Sequence, residues 1–336
     1  MDIEQVLQMN HGMGDNSYAN NSTIQCLKVA DLGCSSGPNA LEAVSNVINI
    51  VDSITRNLNL KPPVFQFFLN DLFRNDFNTI FKLLPQFLET LEENKGANFG
   101  PCFINATSGT FYKRLFPDNS LHLVHSSFSL HWLSQAPKEL VNKENIYLTS
   151  TSPPAMQKAY LEQFQQDFKQ FLRLRSQELV SKGRMVLNLF GRDQIRDRRT
   201  CWRLYGITLD EMVLENLIEE KKLESFNLPM YGPTTEEVKE VIEEEGSFTL
   251  QRLESVIVDY DEGLGVNEDN KVDINMRAEV FTKLQRAGLE PLFKAQFGEH
   301  VMDELFLRFK NKIVQSVEAK ILLEFPTLII SLVKNA

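Results

Sequence analysis

The sequence predicts an α/β fold: a doubly wound, mostly parallel sheet with a helical cap. Three observations predict it. Short apolar runs alternate with helical patterns through the first half of the 336-residue chain. A glycine-containing turn follows the first of these runs, and in an open parallel sheet such turns border the ligand. Long Glu- and Lys-rich helical stretches come late, yet the chain closes on another strand-like run. Those stretches therefore interrupt the sheet and do not form a separate unit.

LKVADLG (27–33) is the first strand. Leu41, Val44, Ile48 and Val51 then recur at helical spacing after Pro38, a favoured helix-start residue. VFQFFLND (64–71) is the second strand, followed by a helix from Asn75 to Asn94 with Phe77, Ile80, Phe81 and Leu84 on one face. A short strand precedes GTFYKRLFP (109–117), and LHLVHSS (121–127) is another. Met156, Tyr160, Phe164, Phe168 and Phe171 mark a long helix that Gly183 ends, and RMVLNLFG (184–191) is the next strand. Residues 203–247 and 274–318 are mostly helical, with SFTLQRLESVIVDY (247–260) as a strand between them and PTLIISLVKN (326–335) as the last. The expected division is a core over 1–202, a helical cap over 203–246, a core strand and loop over 247–273, a second cap segment over 274–324 and the final core strand over 325–336.

Composition limits the function classes. With 43% hydrophobic and 24% charged residues the chain is an ordinary globular protein, and 24 phenylalanines suit a pocket with aromatic walls. A net charge of −10 repels phosphate backbones, so nucleic acid is not an expected partner. Cys26, Cys34, Cys102 and Cys201 have no metal-ligand spacing and read as free thiols of a reducing compartment. The first residues hold no apolar run, and ILLEFPTLIISLV (321–333) is broken by Glu324 and Pro326 and too short for a bilayer. A cytoplasmic protein without a membrane partner is expected.

The strongest local signal is ADLGCSSGPN (30–39), where a strand ends in Asp31 and turns through Gly33 and Gly37 into a helix. It reads D-x-G-x-x-x-G and not the GxGxxG that cradles a pyrophosphate. A nucleoside ligand with a cationic tail fits better, because carboxylates suit a cation. Asp71 ends the second strand, where an acid commonly takes ribose hydroxyls; alone, it could equally cap the helix that follows. Leu72 beside it could pack on a base. Thr110 and Phe111 could offer a hydroxyl and a ring to the edge and face of that base. His131 and Trp132 follow the strand at 121–127. The indole of Trp132 combines one N–H donor with a broad apolar face, which suits a small aromatic acid; core packing is the plainer alternative.

The chain resembles the plant SABATH methyltransferases, which include salicylate, benzoate and jasmonate carboxyl methyltransferases and the caffeine-pathway N-methyltransferases. The resemblance runs nearly end to end, through MNHGMGDNSYANNS (9–22), ADLGCSSGPN, FFLNDLFRNDFN (67–78), FYKRLFP (111–117), HSSFSLHWLSQAP (125–137), LESFNLP (223–229), EEEGSF (243–248) and FGEHVMDELF (297–306). It implies the S-adenosylmethionine-dependent methyltransferase type of sheet, and S-adenosylmethionine as cofactor with S-adenosylhomocysteine as product. Tyr18, Ser22, Asp31, Gly33, Asn39, Asp71, Leu72, Thr110, Phe111, Ser127 and Phe128 would line the cofactor site. Asn10, Gln25, Phe128, His131, Trp132, Trp202 and Gln285 would border the acceptor, with Gln25 and Trp132 on its carboxylate. Some members hold a divalent ion, for which Asn142, Glu224, Phe226 and Asn227 would be the match for Mg2+; Glu224 stands where Asp is usual, which puts the metal in question. A homodimer is also implied.

Two further departures matter. The chain has SGTF (108–111) where the family usually has PGSF, which keeps the hydroxyl. A long helical segment usually separates Gln25 from the first strand, and here Cys26 follows directly. The implied reaction is an in-line methyl transfer that needs no catalytic residue as base when the acceptor is a carboxylate, only positioning by Gln25 and Trp132. N-methylation of a xanthine and a catalytically silent ligand-binding protein on the same fold are the competing expectations.

Overall fold

The computed structural model describes residues 24–96, 99–137, 146–149, 152–192, 201–259, 274–319 and 324–336. Seven strands form one sheet among them: β1 (Cys26–Leu32), β2 (Val64–Asp71), β3 (Cys102–Ser108), β4 (Leu121–Ser127), β5 (Leu179–Phe190), β6 (Phe248–Asp259) and β7 (Glu324–Lys334). Their order is β3-β2-β1-β4-β5-β7-β6. The first five run parallel, and β7 lies antiparallel between β5 and β6.

Alternation along the strands feeds two cores. Leu27 and Val29 of β1 face α1 (Asn39–Asn57) and α2 (Phe77–Lys95), whose Val44, Ile48, Val51 and Ile80 complete that layer. Ala30 and Leu32 face the other way, toward α3 (Pro154–Glu178), where Phe164, Phe168 and Phe171 recur on one side. Asp76 accepts from the backbone N–H groups of Asn78 and Thr79 and so caps α2. Asp71 is not the cap. Phe81, expected on the buried face of α2, is 41% exposed, because it lies about 100° around the helix from the buried Ile80.

The long helix also ends earlier than Gly183. Glu178 is its last residue, and Leu179 already pairs with Leu121. Leu179 is fully buried at that point, so tertiary packing overrides the glycine signal.

The late helices are α4 (Cys201–Leu214), α5 (Glu220–Glu224), α6 (Thr235–Glu245), α7 (Ile274–Phe297) and α8 (Met302–Glu318). Trp202 and Tyr205 of α4, Phe281 and Phe293 of α7 and Phe306 and Phe309 of α8 form a third core with Phe325 and, at its margin, Trp132 and Phe190. Phe190 ends β5, and Phe325 begins the antiparallel β7, so this core sits at the carboxyl edge of the parallel strands. α6 differs from the expected cap: its Val238, Val241 and Ile242 pack under the sheet with α3. No helix among the described residues is long and apolar enough to cross a membrane.

β7 joins β5 to β6 and carries the fully buried Ile330. Ile330→Ala should lower unfolding free energy by about 2–5 kcal/mol in a denaturant titration, through the cavity it leaves. A loss below about 1 kcal/mol would contradict the tight packing assigned to β7.

Candidate active site

The loops after β1 and β4 meet at the carboxyl edge of the sheet. Gly33 has φ +83°, and a Cβ there would lie 2.1 Å from Ser129 Oγ. No side chain fits that position. The Ser129 hydroxyl donates to the carbonyls of Gly33 and Ser127 at 3.1 and 3.2 Å, which ties the two loops together. The demand for glycine therefore comes from this close approach, whereas Gly37 has open space around it. Phe128, between the two serines, has φ 53°, a costly left-handed conformation for an aromatic residue.

Asp31 is buried, and its carboxylate lies 2.7 Å from His125 Nδ1 on β4, directly opposite in register. Asp71 Oδ2 accepts from Ser35 N–H and Oδ1 from Leu72 N–H, both at 2.7 Å, so it braces the β1 loop against the end of β2. Cys34 lies beside both carboxylates. Burial first, then Asp31 and Asp71, push its thiol well above the ordinary value and keep it protonated. Leu72 (54% exposed) and Phe128 (41%) leave apolar surface uncovered at this edge. Asn39, the first residue of α1, is exposed. The Phe111 ring lies 3.7 Å from where a Gly33 Cβ would be. Thr110 Oγ1 accepts from Tyr112 N–H at 3.3 Å. Asp31, Gly33, Asp71, Leu72, Thr110, Phe111, Ser127 and Phe128 thus gather at the carboxyl ends of β1, β2 and β4 and on the loops that follow β1, β2, β3 and β4. A cleft of about 720 Å³ borders this group at Leu72 and Thr110 alone; its other walls are Tyr112, Lys113, Ser134 and α3 residues from Gln166 to Arg173. Paired carboxylates, a backbone approach that only glycine permits and exposed apolar side chains fit an adenosyl group with a cationic tail.

Beyond Phe128 the rings form a continuous cluster. Phe190 lies 5.0 Å from Phe128, 4.4 Å from His131, 6.3 Å from Trp202 and 5.4 Å from Phe325, centroid to centroid. His131 and Trp132 are 5.4 Å apart. Trp132 is half-buried, and its carbonyl accepts from the Tyr112 hydroxyl at 2.7 Å. His131 is buried, and its Nδ1 has no hydrogen-bond partner among the described residues. Desolvation pushes its imidazole down to about 3, so it is neutral at neutral pH. Gln285 is half-buried on α7, four residues from both Phe281 and Leu289, which belong to this aromatic core. Phe190 and His125 were not among the residues singled out in the sequence. Each sits inside a run that reads as plain strand, and only pairing across the sheet reveals what it meets.

Gln25 is a correction. The resemblance sets it beside Trp132, but it precedes β1, and its carbonyl accepts from Val64 N–H at the start of β2. That is the amino edge. Six residue steps along the strand, about 20 Å, separate it from Asp31. With Cys26 opening β1 directly, no connecting chain carries Gln25 to the other edge. Asn10, Tyr18, Ser22 and Asn142 lie outside the described residues. For the metal, Phe226 is packed between Phe293 and Phe297, at 5.6 and 5.3 Å, and is not turned toward a site. Glu224 and Asn227 flank it in the chain. No group of three or more His, Cys, Asp or Glu able to hold a metal ion occurs among the described residues.

Comparisons with known proteins agree with this geometry. The family model described as SAM-dependent carboxyl methyltransferase matches residues 23–335. A probable caffeine synthase of Coffea canephora is 41% identical, with 94% of each chain covered. A probable jasmonic acid carboxyl methyltransferase of Theobroma cacao is 42% identical, with 100% of each covered. That second alignment runs over 377 residues and takes in all of this 336-residue chain, so it includes positions at which this chain has no residue. Among solved structures, a loganic acid methyltransferase with S-adenosylhomocysteine superposes with a TM-score of 0.77 at 32% identity, covering 94% of this chain and 86% of the other. The reversal of strand order at β1 and β4, the carboxylates at successive strand ends and the match over almost the whole chain agree: this protein belongs to the S-adenosylmethionine-dependent carboxyl methyltransferase family.

Proposed function

We propose that this methyltransferase acts on the carboxylate of a small aromatic or oxylipin-like plant acid and releases a methyl ester. One observation carries the reading. Among the described rings that meet at the acceptor end, His131 is the only group that could take a proton near neutral pH, and burial, which holds its imidazole down to about 3, makes it a poor base. A carboxylate arrives ionised and needs none. Gln25 no longer supports this reading, because it lies at the wrong edge; Trp132 does.

When bound, S-adenosylmethionine supplies a methyl carbon made electrophilic by a cationic sulfur. The protein's part is placement. Asp71 is set for the ribose hydroxyls, Leu72 and Phe111 for the faces of the adenine, and Thr110 for its edge. Asp31, held by His125, faces the cationic tail. The Trp132 indole N–H orients the acceptor carboxylate, a charge-assisted hydrogen bond of about 1.5–3 kcal/mol. Holding reacting atoms in line supplies effective molarities of about 10⁵–10⁸ M. The aromatic cap formed by α4, α7 and α8 excludes water, which favours a reaction that converts an anion and a cation into neutral products. Asn10, Tyr18, Ser22, Asn39, Ser127, Trp202 and Gln285 stay in the proposal as lining residues. So do the cytoplasmic location read from the sequence and the homodimer that the resemblance implies. Mg2+ at Asn142, Glu224, Phe226 and Asn227 has no part in it.

A second reading, N-methylation of a xanthine, is favoured by the unpartnered His131 Nδ1, which could accept from a ring N–H. Labelled S-adenosylmethionine offered with a panel of acids and xanthines separates the two. Label that mild base releases is expected, and label that survives base would overturn the carboxylate reading. Trp132→Ala should raise the KM for the acid about tenfold or more, by loss of its hydrogen bond. An unchanged KM would remove Trp132 from the acceptor site.

Neutral His131 also has a stability signature. Below its ordinary value of 6.5 the unfolded chain takes up a proton that the native chain refuses, so stability falls as pH falls. Between about pH 6.5 and 5.5 the wild type should lose about 1 kcal/mol more than His131→Asn in parallel denaturant titrations. Equal losses would mean that His131 is not buried and neutral.

A further inference from the structure

A fully buried ion pair at the end of α3 lies outside the residues assigned above. Arg175 and Glu178 have side chains that are 0% exposed, with Nε and Oε2 at 2.8 Å. Arg175 Nη1 donates to the Phe111 carbonyl at 3.0 Å and Nη2 to the Lys113 carbonyl at 2.9 Å. Glu178 Oε1 accepts from Leu115 N–H at 2.7 Å and from Phe116 N–H at 3.1 Å. One pair thus satisfies four backbone groups of the 110–116 loop. The guanidinium also stands 5.3 Å from the centre of the Phe171 ring, which meets the Phe111 ring edge-on at 6.0 Å.

That loop borders both halves of the site. Phe111 sits beside Gly33, while the Tyr112 hydroxyl holds the Trp132 carbonyl. A surface loop would hydrogen-bond to water and keep its freedom; this one is bonded to two buried charges, and its own Arg114 adds a third contact, Nε to Glu178 Oε1 at 3.4 Å. Arginine's planar fork reaches two carbonyls and the carboxylate from three separate nitrogens, a fixed geometry that the single nitrogen of a lysine does not reproduce.

We propose that Arg175 and Glu178 are positioning residues that fix the 110–116 loop, so that the cofactor wall at Thr110 and Phe111 and the acceptor group at Trp132 are held in one register. The inference rests on the reading of Thr110 and Phe111 as cofactor-lining. Neither charge touches a reacting atom. They act through backbone carbonyls and amides, and the early end of α3 at Glu178 is what brings the carboxylate to the loop.

The test measures S-adenosylhomocysteine affinity by calorimetry, and acceptor KM and kcat separately. It uses Arg175→Lys, Glu178→Gln, Tyr112→Phe, Phe111→Ala and the core control Ile330→Ala. Arg175→Lys and Glu178→Gln should each weaken S-adenosylhomocysteine at least tenfold and raise the acceptor KM. Tyr112→Phe should raise the acceptor KM alone, with S-adenosylhomocysteine affinity within twofold of wild type. Ile330→Ala, assayed well below its melting temperature, should change neither. A folded Arg175→Lys or Glu178→Gln protein with wild-type affinity overturns the proposal, and so does an Ile330→Ala loss as large as theirs, since that would make the effect one of general stability. Phe111→Ala with unchanged affinity would instead sink the cofactor-wall reading. If neither charge variant folds, hydrogen exchange on the wild type decides: the Leu115 and Phe116 amides should exchange as slowly as those of β4, and rapid exchange overturns the clamp.

Discussion

The chain builds outward from β1 through β2 to β3, then returns to lay β4 against the other side of β1, and this reversal governs the whole site. Loops that leave neighbouring strands in opposite directions part at the carboxyl edge and leave a crevice. Here the crevice is drawn tight at one point, where Ser129 takes the space a side chain on Gly33 would need. The two strands are also pinned by the Asp31–His125 contact. Asp71 bridges to the β1 loop through Ser35 N–H, so β2 joins the same frame. The residues proposed for the cofactor are not gathered from distant surface loops. They are the ends of packed strands.

The acceptor end follows different physics. Its rings come from the loop after β4 and from β5, α4 and β7, far apart in sequence, and they meet around Phe190. An aromatic enclosure is a poor place for a charge unless a donor waits there, the part proposed for Trp132. The same enclosure keeps His131 neutral. A reaction in which an anion and a sulfonium cancel their charges gains from that environment, whereas one that must first shed a proton does not.

Much of the frame was legible in the sequence. Apolar alternation in LKVADLG and VFQFFLND marked β1 and β2, and the acidic residues at their ends marked the ligand edge. Three things were not legible, each for a physical reason. The end of α3 at Glu178 is set by burial of Leu179 against β4, a tertiary effect that overrides Gly183. Phe190 and His125 owe their roles to cross-strand neighbours, which no local pattern encodes. Gln25 was assigned through a resemblance whose family carries a segment that this chain lacks at that point. A motif can be kept while the chain that should deliver it to the site is not. The buried Arg175–Glu178 pair was likewise hidden, because charges in an otherwise amphipathic helix read as a solvated face until their burial is seen.

The central claim is that this site methylates an acceptor that arrives ionised and that no protein base takes part. The dependence of kcat/KM on pH tests it most directly, over about pH 6 to 8, a range in which neither a carboxylic acid nor His131 titrates. A flat profile with the preferred acceptor is predicted. A rise of tenfold per pH unit over that range would show that a proton must leave before methyl transfer, and would contradict the claim.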